Sequence, residues 1–119
     1  DIKSFLIDQK FVSGIGNIYA SEILFLCKVD PQKKAQKLTK TECKKIIYFS
    51  RLVLKKAIKY GGSSIRDFKN VSGLDGLFQK EFKVYQRESL KCLNYNCIGK
   101  IKKKMISKRS TFFCNKCQI

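Results

Sequence analysis

Two cysteine pairs constrain this chain more than any other feature: Cys92-x4-Cys97 and, sixteen residues later, Cys114-x2-Cys117. Each pair fits within one turn. Two such pairs supply the four soft ligands that tetrahedral zinc takes at about 2.3 Å from sulfur. The stretch between them, IGKIKKKMISKRSTFF, is strand-like from Ile98 to Ile106 and from Thr111 to Phe113, with SKRS as the turn, so a β-hairpin is expected there. Residues 92–119 are too few to bury a core of their own. One structural Zn2+ contributes roughly 10–16 kcal/mol of apparent free energy in such fingers, enough to order them. Two disulfides, or four incidental thiols, are the alternatives. The opening DIKSFLIDQK does not read as a signal peptide, and six cysteines without a secretion signal point to a reducing cytosol where clustered thiolates bind metal. Histidine is absent, so a zinc site here is built from Cys alone. Cys27 and Cys43, each alone on an apolar helical face, read as small core residues.

Upstream of these pairs the periodicity is helical. Phe5, Leu6, Phe11 and Val12 predict a short helix over 3–12 with Ser4 as N-cap. SGIGN breaks it, and Asn17 opens a second helix through Lys28, closed off by Asp30-Pro31. A basic linker, QKKAQK, precedes Thr39 and Glu42, which fit a capping box at the start of a long helix that Gly61-Gly62 ends. Ser63 or Ser64 is expected to start a further short helix through Phe68, and NVSGLDG at 70–76 reads as a loop. EFKVYQR at 81–87 alternates and predicts a strand. The fold class expected is therefore mainly α: a helical bundle over 1–90, then a four-cysteine zinc-finger hairpin over 91–119, with the boundary near 88–91.

Charge narrows the partner. Lys and Arg total 26 against 9 Asp and Glu, a formal +17. Lys-rich composition alone does not explain the distribution: no acid follows Glu88, while Lys91, Lys100, Lys102, Lys103, Lys104, Lys108, Arg109 and Lys116 all do. A nucleic acid is the polyanion that offsets such a charge. No run of about 18 apolar residues exists, and no segment pairs a wide apolar helical face with a basic one, so no membrane partner is expected. In this setting SGIGNIYASE reads as a phosphate-binding turn. Gly14 and Gly16 allow close backbone approach, the following helix start favours an anion, and Asn17 either caps that helix or donates to a phosphate oxygen.

These residues resemble formamidopyrimidine-DNA glycosylase and, more distantly, endonuclease VIII. The likeness begins at Ile2-Lys3, runs through LIDQKFVSGIGNIYASEILF, VLKKAIKYGG and GLFQKEFKVYQR, and ends in RSTFFCNKCQ, covering essentially the whole chain. GIGNIYASE together with RSTFFC-x2-CQ is highly specific. The resemblance implies a helix-two-turn-helix module beside a zinc-bound hairpin, gripping DNA around a flipped-out base. It puts Asn17 at the family's phosphate-contacting Asn. Arg109 falls at the zinc-finger Arg that contacts phosphates flanking the lesion and serves the second elimination step, and Lys3 at a Lys implicated at the lesion site. Ser72 to Phe78 match the loop that closes over the extruded base.

Two departures stand out. Gln86 replaces the Gly of the family's VYGR. The family's N-terminal proline nucleophile, on its own β-sandwich domain, has no counterpart in these residues, so catalysis by the isolated chain is not expected. The functional expectation is the DNA-binding part of a base-excision-repair glycosylase and abasic-site lyase for oxidised purines (formamidopyrimidine, 8-oxoguanine). It would partner damaged or abasic double-stranded DNA and a separate N-terminal half, in the bacterial cytosol at the nucleoid. The alternative is a non-enzymatic zinc-ribbon module that binds damaged DNA or RNA.

Overall fold

A computed structural model describes residues 1–10, 15–59 and 82–119. Gly14, the Gly61-Gly62 cap, the short helix expected up to Phe68 and the loops at 70–76 and 72–78 lie outside them. The described elements are α1 (Ile2–Ile7), α2 (Asn17–Cys27), a 3-10 turn at Ala35–Lys37, α3 (Lys40–Lys59), β1 (Ile101–Ile106) and β2 (Arg109–Cys114).

Helix α1 is shorter than its apolar spacing predicts and starts differently. Asp1, not Ser4, is the N-cap, its carboxylate accepting from the Ser4 amide at 2.8 Å. The neighbouring orphan donors are met by the chain ahead: Ile2 N–H donates to Lys33 O at 2.7 Å and Lys3 N–H to Pro31 O at 3.2 Å. At the other end Asp8 leaves the helical conformation and its side chain accepts from Lys10 N–H at 2.9 Å. That local bond competes with the helix and stops it before residue 12.

Helix α2 begins and ends where expected, but it has no solvent face to speak of. Every residue from Tyr19 to Phe25 is buried, because α1 and α3 pack on one side and the hairpin on the other. Lys28 takes the left-handed conformation at its end (φ 59°, ψ 34°). Its N–H reaches Phe25 O and the Val29 N–H reaches Leu24 O, both at 3.1 Å, which satisfies the last carbonyls in a Schellman arrangement. Helix α3 carries the predicted capping box: Glu42 N–H donates to Thr39 Oγ1 at 3.1 Å, and Thr39 N–H to Glu42 Oε1 at 2.9 Å. Ile46 and Ala57 enter the core, whereas Cys43 is exposed, against expectation. It lies past the edge of the stripe that meets α2.

Two apolar clusters result. One joins α1, α2 and α3 through Leu6, Ile23, Leu24 and Ile46. The other joins Phe25 of α2 to Val84, Ile101 and Phe112. Burying Phe25 between helix and hairpin is worth roughly 1.5–3 kcal/mol.

Residues 82–87 are not a strand. They bend, and Gln86 sits at φ 58°, the left-handed region that its Gly counterpart in related sequences enters without cost. Strands β1 and β2 pair antiparallel in a two-stranded sheet, from Ile101 against Cys114 to Ile106 against Arg109. The turn is Ser107-Lys108 alone, both at positive φ (51° and 64°), the geometry a two-residue hairpin turn needs. Arg109, expected in the turn, is thus the first residue of β2.

Candidate metal centre and nucleic-acid interface

The four predicted cysteines converge. The sulfurs of Cys92, Cys97, Cys114 and Cys117 all lie within 4.8 Å of one another. Cys92 and Cys117 are 3.7 Å apart, and Cys97 and Cys114 3.6 Å. A disulfide needs about 2.05 Å, and all four thiols are free. A tetrahedral ion with sulfur at about 2.3 Å sets its ligands about 3.8 Å apart, so the donor set fits one metal ion.

Local sequence makes that convergence possible. Cys92 N–H donates to Gly99 O at 2.9 Å and Cys97 N–H to Asn94 O at 3.1 Å, while Asn96 turns back at φ 60°. Gly99 is obligatory, because a Cβ there would lie 2.8 Å from the Cys114 sulfur and 2.7 Å from Lys116 Cγ. Around the sulfurs, Asn94 Nδ2 donates to Cys117 Sγ at 3.1 Å and Gly99 N–H to Cys97 Sγ at 3.4 Å. Burial pushes the Cys92 thiol up. It acts on Cys114 too, but the backbone amides of Cys117 and Lys116 outweigh it and hold that thiol below its ordinary value. Outside the cluster, burial lifts Cys27 to about 12, an inert core thiol as expected.

The polar residues predicted for nucleic-acid contact meet at the junction of helix and hairpin. Lys3 is 0% exposed, and its ammonium donates to Asn17 Oδ1. The Asn17 Nδ2 donates to Ser110 O at 3.0 Å, which spans from the start of α2 to β2. Asn17 therefore does not cap its own helix: Gly16 is the N-cap, without a side-chain bond. Gly16 adopts an ordinary extended backbone (φ −91°, ψ 177°), so no turn requires glycine there. A Cβ on it would meet nothing within 4 Å, which leaves that side of the helix start open. Arg109 is exposed on β2 one residue before the Ser110 carbonyl. Burial and, after it, the Arg109 charge lower the Lys3 ammonium to about 8. A buried cation held beside a second cation gains from a bound anion. Lys3, Gly16, Asn17 and Arg109 are thus one neighbourhood, and Gly14 lies outside the described residues.

Sequence reasoning missed two buried polar residues that hold this arrangement. Glu22, 6% exposed, accepts from the amides of Lys83 (2.7 Å), Val84 and Tyr85 (both 2.9 Å). It is the sole acid in NIYASEILFLC, a lone charge on an apolar helix, and such a charge must find a partner. Gln118, beside the last cysteine, is buried as well.

Comparisons with known proteins agree with this geometry. Residues 1–69 match the family described as Formamidopyrimidine-DNA glycosylase H2TH domain. Over 117 residues the chain is 46% identical to the formamidopyrimidine-DNA glycosylase of Roseobacter denitrificans and 42% to that of Pasteurella multocida, covering 98% of this chain and 41% and 43% of theirs. Among solved structures it is similar to Lactococcus lactis Fpg complexed with abasic-site DNA (TM-score 0.83, 38% identity, 98% of this chain and 42% of that one). It is also similar to MutM in complex with DNA containing carbocyclic 8-oxo-G (TM-score 0.82, 38% identity, 98% and 41%). The chain spans about two fifths of the length of these relatives.

Proposed function

The chain belongs to the formamidopyrimidine-DNA glycosylase family, and on that premise we propose that it is the DNA-gripping part of a base-excision-repair glycosylase and abasic-site lyase acting on oxidised purines. The observation that carries this reading is the bond from Asn17 to Ser110 O, which makes the helix corner and the basic hairpin one surface, with Lys3 beneath it. A phosphodiester suits that surface. Asn17 has a second amide hydrogen, Arg109 offers a planar fork for phosphate oxygens, and the buried Lys3 ammonium adds its charge from beneath. In this reading Arg109 grips phosphates beside the lesion and serves the second elimination step.

Zn2+ is the ion that four thiolates at these separations suit. When bound it cross-links the two cysteine turns and supplies no chemistry to the substrate. The unit boundary falls near 88–91, with the helix-two-turn-helix part before it and the zinc finger after. The nucleophilic amine is supplied from outside these 119 residues, and the whole acts at the nucleoid in the cytosol. Among the described residues no helix is long and apolar enough to cross a membrane.

The test is fluorescence-anisotropy binding of the zinc-loaded chain to abasic duplex, intact duplex and structured RNA over a salt series. Abasic duplex is expected to bind tightest, with a log–log salt slope of about −5 for about six neutralised phosphates. A salt-insensitive affinity, or structured RNA bound as tightly as abasic DNA, would overturn the reading and favour the non-enzymatic ribbon.

A further inference from the structure

We propose that Gln118 is a positioning residue that couples the four-thiol centre to the far end of α2, so that metal binding sets the register of the hairpin against the Asn17 corner. The inference rests on the reading of the four cysteines as a metal site. Gln118 is 2% exposed, and both polar atoms of its amide are used. Oε1 accepts from the Cys114 N–H at 2.8 Å, and Nε2 donates to Val29 O at 3.0 Å. One side chain therefore joins a cysteine of the cluster to the residue that closes α2.

The backbone reinforces the join. Ile119 N–H donates to Lys28 O at 3.1 Å, and Asp30 N–H to Ile119 O at 3.4 Å. At the opposite end of the same helix Asn17 holds Ser110 O. One rigid helix about 16 Å long is thus held at its start by β2 and at its end by the cysteine turn that follows β2. A packed helix transmits displacement rather than absorbing it. If the Cys114 turn loosens, Val29 loses its donor, and the Asn17–Ser110 contact loses the opposing anchor that keeps it in register. Glutamine is the residue this task needs: it accepts toward Cys114 and donates toward Val29, a pair of roles that no carboxylate at neutral pH fills.

The test separates those two roles in the 119-residue chain with Gln118→Glu and Gln118→Ala. Glu is isosteric, keeps an acceptor for Cys114 and has nothing to donate to Val29. Ala removes both bonds. Four quantities are measured: zinc stoichiometry, zinc release to a chromophoric chelator, amide exchange at Asp30 and Ile119, and the ratio of affinities for abasic over intact duplex. The ratio cancels the generic effect of an added negative charge.

Gln118→Ala is expected to release zinc about tenfold faster, as loss of an outer-sphere support does. Gln118→Glu should release zinc at the wild-type rate, yet exchange about tenfold faster at Asp30 and Ile119 and lose much of its preference for abasic duplex. Should Gln118→Ala fail to fold, Gln118→Glu alone decides. Wild-type exchange and preference in Gln118→Glu would overturn the proposal. So would zinc release as fast as from Gln118→Ala, since the Cys114 bond that Glu keeps would then contribute nothing to holding the metal. Wild-type protein without stoichiometric zinc refutes the metal reading itself, before any variant is compared.

Discussion

Glu22→Gln puts the interior of α2 to a quantitative test. The carboxylate accepts one amide at Oε1, from Lys83, and two at Oε2, from Val84 and Tyr85. Gln preserves the shape but turns one oxygen into a donor. Its better orientation keeps the Val84 and Tyr85 bonds and aims an NH2 at the Lys83 N–H. A hydrogen bond to a charged acceptor is worth about 1.5–3 kcal/mol, and an unsatisfied buried donor costs about 1–3 kcal/mol. The two surviving bonds also weaken when the acceptor becomes neutral. Relief of the carboxylate's desolvation offsets part of this, so a net loss of about 2–4 kcal/mol is expected.

For a chain of this length that lowers Tm by about 8–16 °C, read by thermal and urea unfolding of the zinc-loaded protein. The pH dependence has a definite sign. Burial lifts the Glu22 carboxyl above its ordinary value of 4.5, against the pull of the three amides. As pH falls, the folded state therefore takes up this proton before the unfolded state, and the wild type gains stability from this group until pH reaches about 4.5. Gln lacks that gain, so the deficit of the variant widens on acidification. A variant as stable as wild type at pH 7 would refute the reasoning, because the lost Lys83 bond and its orphaned amide would then cost nothing.

Three further outcomes follow from the interface and the turns. Lys3, lowered to about 8 by burial and then by Arg109, should regain its proton when a phosphate binds. Affinity for abasic duplex should then fall as pH rises from about 8, with a slope approaching one proton that Lys3→Met abolishes; a flat profile from pH 7 to 9.5 would contradict it. Arg109→Ala should weaken abasic duplex by about tenfold and intact duplex less, and equal losses would reduce Arg109 to a general surface charge. Gln86→Gly should raise stability by up to about 1 kcal/mol by relieving the left-handed conformation at φ 58°, and a lower urea midpoint would show that the Gln side chain matters more than its backbone.

What was legible in the sequence was local. The cysteine pairs announce their convergence by spacing, and Thr39 with Glu42 announces its cap. GIGN announces the start of α2, and within each cysteine turn and at the cap the bonding partners lie only a few residues apart. The segment at 82–87 shows the limit. Its alternation correctly marks Phe82 and Val84 as buried. Yet the amides of Lys83, Val84 and Tyr85 go to a carboxylate about sixty positions earlier rather than to a neighbouring strand. Periodicity reports which side chains are buried and is silent on the backbone's partner. Asn17 failed as a cap for a related reason: Lys3 and the Ser110 carbonyl, brought in by the tertiary fold, offered its amide two partners at once. Cys43 shows that an apolar stripe on α3 is wider than the contact it makes.

The charge pattern links the proposed metal site and the proposed nucleic-acid surface. Side chains of residues 89–119 comprise seven Lys, one Arg and no acid, a charge of +8. Four thiolates around one Zn2+ carry a net −2, the counter-charge that these side chains can assemble among themselves at neutral pH. It sits on the side of the hairpin away from the turn, since Cys114 ends β2 while Arg109 begins it. A Zn2+ held there would therefore do more than staple a segment too small for a core. It would offset charge at the base of the hairpin and leave the tip, with Lys108 and Arg109, cationic beside Lys3. Stripping such an ion would remove both the cross-link and its counter-charge and restore the self-repulsion of the hairpin. A phosphodiester at the tip would relieve the same repulsion from the other end, so the two ligands stabilise the hairpin by the same electrostatic route although they never touch.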